Sequence, residues 1–181
     1  MLALVQNSPR KIHGEQDLYA AALRALMRRA HSIYEMRGYL ARRTEDKDEE
    51  SISAVIARLR EQKYLDDARY ALDYARQHAQ GRRQGRFRIA RGLRGRGVPD
   101  THIDAALDAI FAETDETALV RARLKRRLTH IRGALSQNQI ASLYRSLLRA
   151  GFAADTIRAE LRAVKGEIPD SADVLDAATE S

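Results

Sequence analysis

The side chains of this chain that could do chemistry are mostly arginines, and the spacing of the others argues against catalysis. His13-Gly14-Glu15 has the H-x-E form of a zinc deaminase, but the chain contains no Cys to complete that metal site. The five His are scattered, none with a second His at i+4, so surface or half-buried histidines are expected and no metal. Gly92-x-x-Gly95-x-Gly97 matches neither G-x-G-x-x-G nor a phosphate loop ending in Lys-Ser/Thr. Asp66-Asp67 could form a paired carboxylate, but two acids at a helix start read better as caps placed against the positive end of the dipole. A protein that is not an enzyme, with no cofactor, is the expectation.

What remains is segregated charge. The net charge is +7 with a pI near 10, which favours a polyanionic partner. Between Tyr74 and Pro99 there are eight Arg and no acid, including Arg82, Arg83, Arg86, Arg88, Arg91, Arg94 and Arg96. Residues 117–154 again hold no acid and carry Arg121, Arg123, Lys125, Arg126 and Arg127, whereas residues 100–116 hold six acids and no Lys or Arg. A single charge run is usually a solvated helix face. Two base-only segments in successive units would instead line up as a stripe that attracts phosphates without reading sequence. Arg also pairs well with carboxylates, so an acidic protein surface stays open as a target.

The elements that carry these residues are helices. A first helix is expected over Asp17–Ala30 with Leu18, Ala22 and Leu26 inward, joined by Tyr19 and Leu23. Ser32-x-x-Glu35 reads as a capping box opening a second helix from Ile33 to about Arg43, with Met36 and Leu40 inside. Residues 44–50 make an acidic connection to a third helix, on which Ile52, Ile56 and Leu59 give offsets of 0, 4 and 7. Tyr70, Ala71 and Tyr74 mark the next helix, and Gly81–Gly85 and Gly97-Val98-Pro99 mark breaks. The RGLRGRG stretch could be a disordered Arg-Gly tract. Phe87, Ile89 and Leu93 at helical spacing favour a helix, weakened by Gly92 and Gly95, each costing roughly 1 kcal/mol relative to Ala. Helix, Gly turn and helix also suggests a helix-turn-helix, but the third helix of that unit is acidic and unsuited to a DNA groove.

The offsets 0, 4 and 7 recur at Ile103, Leu107 and Ile110 and at Ile157, Leu161 and Val164. The last two units align without gaps at a spacing of 54, Gly97-Val98 falling on Gly151-Phe152. A second capping box, Ser136-x-x-Gln139, opens the middle helix of the last unit. The expected fold is all-α, with three tandem three-helix repeats over 17–63, 64–113 and 114–165, stacked into an elongated curved rod. Residues 1–16 are expected to be a flexible N-terminus and 166–181, with five acids and no base, a disordered acidic tail. No apolar run approaches the roughly 20 residues of a membrane span, so a soluble cytoplasmic protein is expected.

These residues carry a resemblance to the RecX regulatory family. SIYEMRGYLARR at 32–43 is similar to its S-x-x-E-L-x-x-K-L segment, and YLDDARYA at 64–71 to its G-Y-L-D-D-x-x-F-A signature. Gly85-x3-Ile89-x3-Leu93-x3-Gly97-Val98 resembles its G-x3-I-x3-L-x3-G-I stretch, the likeness covering about residues 17–165. Lys63 stands where Gly is common, and Tyr70 replaces the usual Phe.

The resemblance implies a modulator of the RecA recombinase that lies in the groove of the RecA filament on single-stranded DNA and limits its growth or persistence in repair, recombination and the SOS response. Its implied partners are the RecA filament and single-stranded DNA, with double-stranded DNA as a further ligand, no membrane, and the chain acting as a monomer. The arginines at 82–96 and the bases at 121–127 become the expected contact surface. Tyr64, Leu65, Asp66 and Asp67 become the expected joint between repeats. The rival reading is a sequence-tolerant nucleic-acid-binding protein that acts without RecA.

Overall fold

Nine α-helices and one π-helical turn, with no strand, make up the described residues of the computed structural model, which are 14–44, 48–129 and 135–166. The expectations for the extreme N-terminus, the middle of the acidic connection and the acidic tail beyond Gly166 lie outside them. The helices run in three successive groups of three, in agreement with the expected tandem three-helix pattern. The first group is α1 (Glu15–Leu26), α2 (Ile33–Ala41) and α3 (Glu49–Glu61); the second is α4 (Asp67–Arg76), α5 (Arg86–Arg94) and α6 (Asp100–Glu113); the third is α7 (Glu116–Leu128), α8 (Gln137–Arg149) and α9 (Ala154–Gly166).

Local signals explain the boundaries. Ser32 Oγ accepts the Glu35 amide at 3.1 Å while the Glu35 carboxylate accepts the Ser32 amide at 3.2 Å, the reciprocal pair expected of a capping box. Ser136 and Gln139 do the same for α8, at 3.3 and 2.8 Å. Helix α1 stops at Leu26, four residues short of the expected end. The Met27 and Arg28 amides fold back on Leu23 and Ala25, and Arg29 then pairs with Glu35 at 3.2 Å, so this stretch turns the chain into the next cap. Helix α4 runs directly into a π-helical turn, Gln77–Gly81, where the sequence shows only a Gly break. That turn is held by the stack of Tyr74 on His78, ring centroids 3.9 Å apart, and by His78 Nδ1 lying 2.9 Å from Gln84 Oε1.

The chain divides into two compact units. The first comprises the described residues to Tyr70 together with Gly95–Pro99, and the second comprises Ala71–Arg94 and the described residues from Asp100 onward. In the first unit α1, α2 and α3 pack on one another around Leu18, Ala22, Met36, Leu40, Ile52, Val55, Ile56 and Leu59. Burying such side chains contributes about 1.5–3 kcal/mol each before entropy is charged. In the second unit α5 packs on α6 through Ile89, Leu93, Ile103 and Leu107, and α9 packs on both α7 and α8 around Val120, Leu124, Leu143, Leu147, Phe152, Ile157 and Leu161.

The gapless alignment of the last two repeats holds in three dimensions. Gly97 and Gly151 both adopt left-handed backbone, φ 67° and 88°, and the residues after them, Val98 and Phe152, are both buried. Phe87, two residues from Ile89 and so on another side of α5, is 61% exposed, while Ile89, Ala90 and Leu93 occupy the buried face. Gly92 is not merely a weak point in α5: a Cβ there would stand inside 3.0 Å of the Tyr74 hydroxyl, so the small residue lets α4 and α5 approach.

Candidate nucleic-acid interface

The middle helices α2 and α5 each begin against a turn that lies far ahead in sequence. In the first unit Ser32 Oγ donates to the Arg96 carbonyl at 2.6 Å, the Ile33 amide donates to Asp67 Oδ1 at 2.9 Å, and Gly97 lies against the Tyr34 ring. In the second unit the Gly85 and Phe87 amides donate to the Ala150 and Gly151 carbonyls at 2.9 and 3.0 Å, and the Arg86 amide donates to Glu116 Oε1 at 3.2 Å. Gly151 lies against Arg88, and both Gly97 with Tyr34 and Gly151 with Arg88 obey the spacing of 54. The same joint is therefore built twice: a turn with a left-handed Gly accepts a hydrogen bond from the helix start, and an acid from the first turn of the following repeat takes a helix-start amide that has no partner within the helix.

This geometry places the four residues expected at the joint. Leu65 is buried in the first unit's core, and Asp66 Oδ1 caps α4 by accepting the Ala68 and Arg69 amides at 3.0 and 3.1 Å. Asp67, in the first turn of α4, also reaches the start of α2, where its Oδ1 accepts the Ile33 amide, a role beyond the expected capping of its own helix. Tyr64 is 56% exposed. Glu116, Gly85 and Gly151 were not singled out as joint residues. The signal available for Glu116 was its place in the first turn of α7, equivalent to that of Asp67 in α4.

The twelve basic residues divide into two sets. Arg86 pairs with Asp108 at 2.8 Å and lies over the Phe111 ring, and Arg94 pairs with Asp100 at 2.7 Å. Arg121 makes a two-pronged contact with the buried Glu160 at 2.9 and 3.0 Å, and Arg96 stands 3.9 Å from Glu35 in the first unit. The acidic helix α6 thus neutralises part of the α5 run.

The other set forms ion pairs with no carboxylate among the described residues: Arg82, Arg83, Arg88, Arg91, Arg123, Lys125, Arg126 and Arg127. Several of these converge in the second unit. Arg88 Nη1 donates to the Arg149 carbonyl at 2.8 Å, and Arg123 Nη1 donates to the carbonyl of Arg83, itself in left-handed backbone, at 3.3 Å. Partial burial, then the fields of Arg126, Arg127 and Arg88, lower the Arg123 pKa from its ordinary value. Guanidiniums anchored on neutral carbonyls keep most of their five donors for an anion. Because like charges held together repel, an anion placed among them would relieve that repulsion.

No group of three His, Asp or Glu among the described residues could hold a metal ion. His31 and His78 have structural partners, the Arg29 carbonyl and Gln84. No helix among the described residues is long and apolar enough to cross a membrane.

Residues 66–107 match the family model described as RecX, second three-helix domain. The chain is 40% identical over 144 residues to the regulatory protein RecX of Halorhodospira halophila, covering 77% of this chain and 83% of that one. It is 32% identical to the regulatory protein RecX of Chlorobaculum tepidum, covering 86% and 92%. The crystal structure of RecX from Lactobacillus salivarius superposes with a TM-score of 0.69 at 22% identity over 83% of this chain and 96% of that one, a likeness of fold. With a relative of that identity and coverage behind its repeated helical joints and its arginine cluster, the chain belongs to the RecX family of regulatory proteins.

Proposed function

We propose that this protein regulates the RecA recombinase by binding its filament on single-stranded DNA, and that it limits the filament's ATP hydrolysis, strand exchange and coprotease activity in DNA repair and the SOS response. The observation that carries this reading is the Arg88, Arg123, Arg126 and Arg127 cluster, whose side chains form no ion pair among the described residues, in a chain of the RecX family. A filament of protein wrapped on DNA offers such a cluster phosphates and acidic side chains together. The protein acts as a cytoplasmic monomer, without catalysis or cofactor, by occupying surface. Its contact residues are the unpaired set above, while Arg86, Arg94 and Arg121 serve chiefly to hold α5, α6, α7 and α9 in place. Repeats over 17–63, 64–113 and 114–165 are the units of this recognition, with Leu65, Asp66 and Asp67 at the first joint.

The test is RecA ATP hydrolysis on single-stranded DNA, titrated with the intact chain and with R88E/R123E. Inhibition by the intact chain at ratios well below one per RecA, lost in the double variant, is the expected result. Binding to DNA with no effect on RecA at any ratio would overturn it and leave a nucleic-acid-binding protein that acts alone.

A further inference from the structure

Phe87 is the one large aromatic of the second unit that α5 holds away from the core, 61% exposed on the helix's first turn. Folding gains little from it there, since Ile89, Ala90 and Leu93 supply the buried face. Its backbone is fixed nonetheless, the Phe87 amide bonding to the Gly151 carbonyl at 3.0 Å and the flanking Arg86 amide to Glu116 at 3.2 Å. The next residue, Arg88, is anchored on the Arg149 carbonyl, and the neighbouring Leu148 is 41% exposed. An exposed ring therefore stands next in the chain to Arg88, one member of the guanidinium cluster, on backbone held in place by hydrogen bonds.

We infer that Phe87 is a stacking platform for a base of single-stranded DNA whose phosphates are held by Arg88, Arg123, Arg126 and Arg127. This deepens the proposed function and rests on its reading of the arginine cluster as a phosphate contact. A basic surface that follows the backbone, with an aromatic ring beside it, is how proteins hold single strands without reading sequence. A duplex has the charge but keeps its bases stacked inside, with no face for the ring. An acidic peptide has the charge but no flat surface that calls for an aromatic in place of any apolar side chain.

The chain has no Trp, so Phe87→Trp installs a single indole reporter at this position. The intact F87W chain is titrated with oligothymidine and with an abasic strand of equal length. Emission should be quenched by the first and unchanged by the second. Phe87→Ala and Phe87→Leu should each weaken oligothymidine binding by about 5- to 100-fold. Both should leave abasic binding and the salt slope as in the original chain, with an unchanged far-UV CD spectrum. If F87L binds oligothymidine as tightly as the original chain, or F87W is quenched equally by both strands, the stacking assignment falls while a steep salt slope still supports the arginine reading. If the original chain binds neither strand with salt dependence, the arginine reading falls as well. F87W emission that responds to RecA alone and not to DNA would make a protein surface the occupant and overturn the proposal.

Discussion

Replacing Gly151 by Ala tests the repeated joint most directly, because the structure supplies its own controls. Gly151 has φ 88°, and a Cβ there would lie inside 3.0 Å of the Arg88 backbone nitrogen. Left-handed backbone costs an L-residue about 1–2 kcal/mol. Overpacking against atoms that cannot rotate away adds about 1–3 kcal/mol, for about 2–5 kcal/mol in all. Gly14 also has a positive φ, 86° with ψ 152°, but no described atom within 4 Å of its Cβ position, so G14A carries a backbone cost of about 1–3 kcal/mol without crowding. Gly85 meets the Gly151 backbone inside 3.0 Å without a positive φ, so G85A isolates the packing cost. Gly81 has neither feature, and G81A should be neutral or stabilising by up to about 1 kcal/mol through the unfolded chain. Urea midpoints followed by far-UV CD should rank G81A, then G14A and G85A, then G151A. The last should fall by about 1 M or more, given a slope of about 1–3 kcal/mol/M. A G151A midpoint no lower than that of G14A would refute the claim that this Gly exists to let the turn approach α5.

Asp67→Ala should lower Tm more than Glu116→Ala. Asp67 is buried and its loss strands the Ile33 amide at a cost of about 1–3 kcal/mol, against about 0.5–2 kcal/mol for uncapping α5, and equal shifts would contradict the geometry. For charge, Arg123→Ala and Arg126→Ala should each flatten the slope of log affinity against log salt for random single strands by about 0.7, whereas Arg94→Ala should leave it nearly unchanged because Asp100 already engages that guanidinium. Acidification should destabilise the first unit in two steps. Burial keeps His31 neutral, with its pKa lowered, so the unfolded chain takes the proton first and stability falls as the pH drops below about 6.5. Burial opposes ionisation of Glu35, but the bonds from Arg29, the Ser32 amide and Tyr70 outweigh it and lower its pKa, so that its contribution, present above the ordinary carboxylate range, is lost as the pH falls through the folded value. Midpoints measured against pH should show the first step vanish in His31→Gln, and a midpoint that rises on acidification would refute both assignments.

Much of this protein is determined by its sequence because the forces involved are local. Capping boxes at Ser32 and Ser136 act within three residues, helical periodicity selects Ile52, Ile56 and Leu59, and a Gly at 97 and at 151 permits a backbone that other residues resist. Three-helix groups follow from such signals wherever they recur. Tertiary structure decided what depends on which side chains become neighbours across long separations. Arg86 meets Asp108 and Arg121 meets Glu160, 22 and 39 residues away, so part of a uniform-looking set of bases is neutralised and the larger part is not. Asp67 serves a helix that begins 34 residues earlier, a role its own helix gives no sign of. Phe87 stands two residues from Ile89, and the helical period sets it on another side of α5. Only the packed structure shows that this side stays 61% exposed, since burial there is settled by the space between elements and not by the period along one of them.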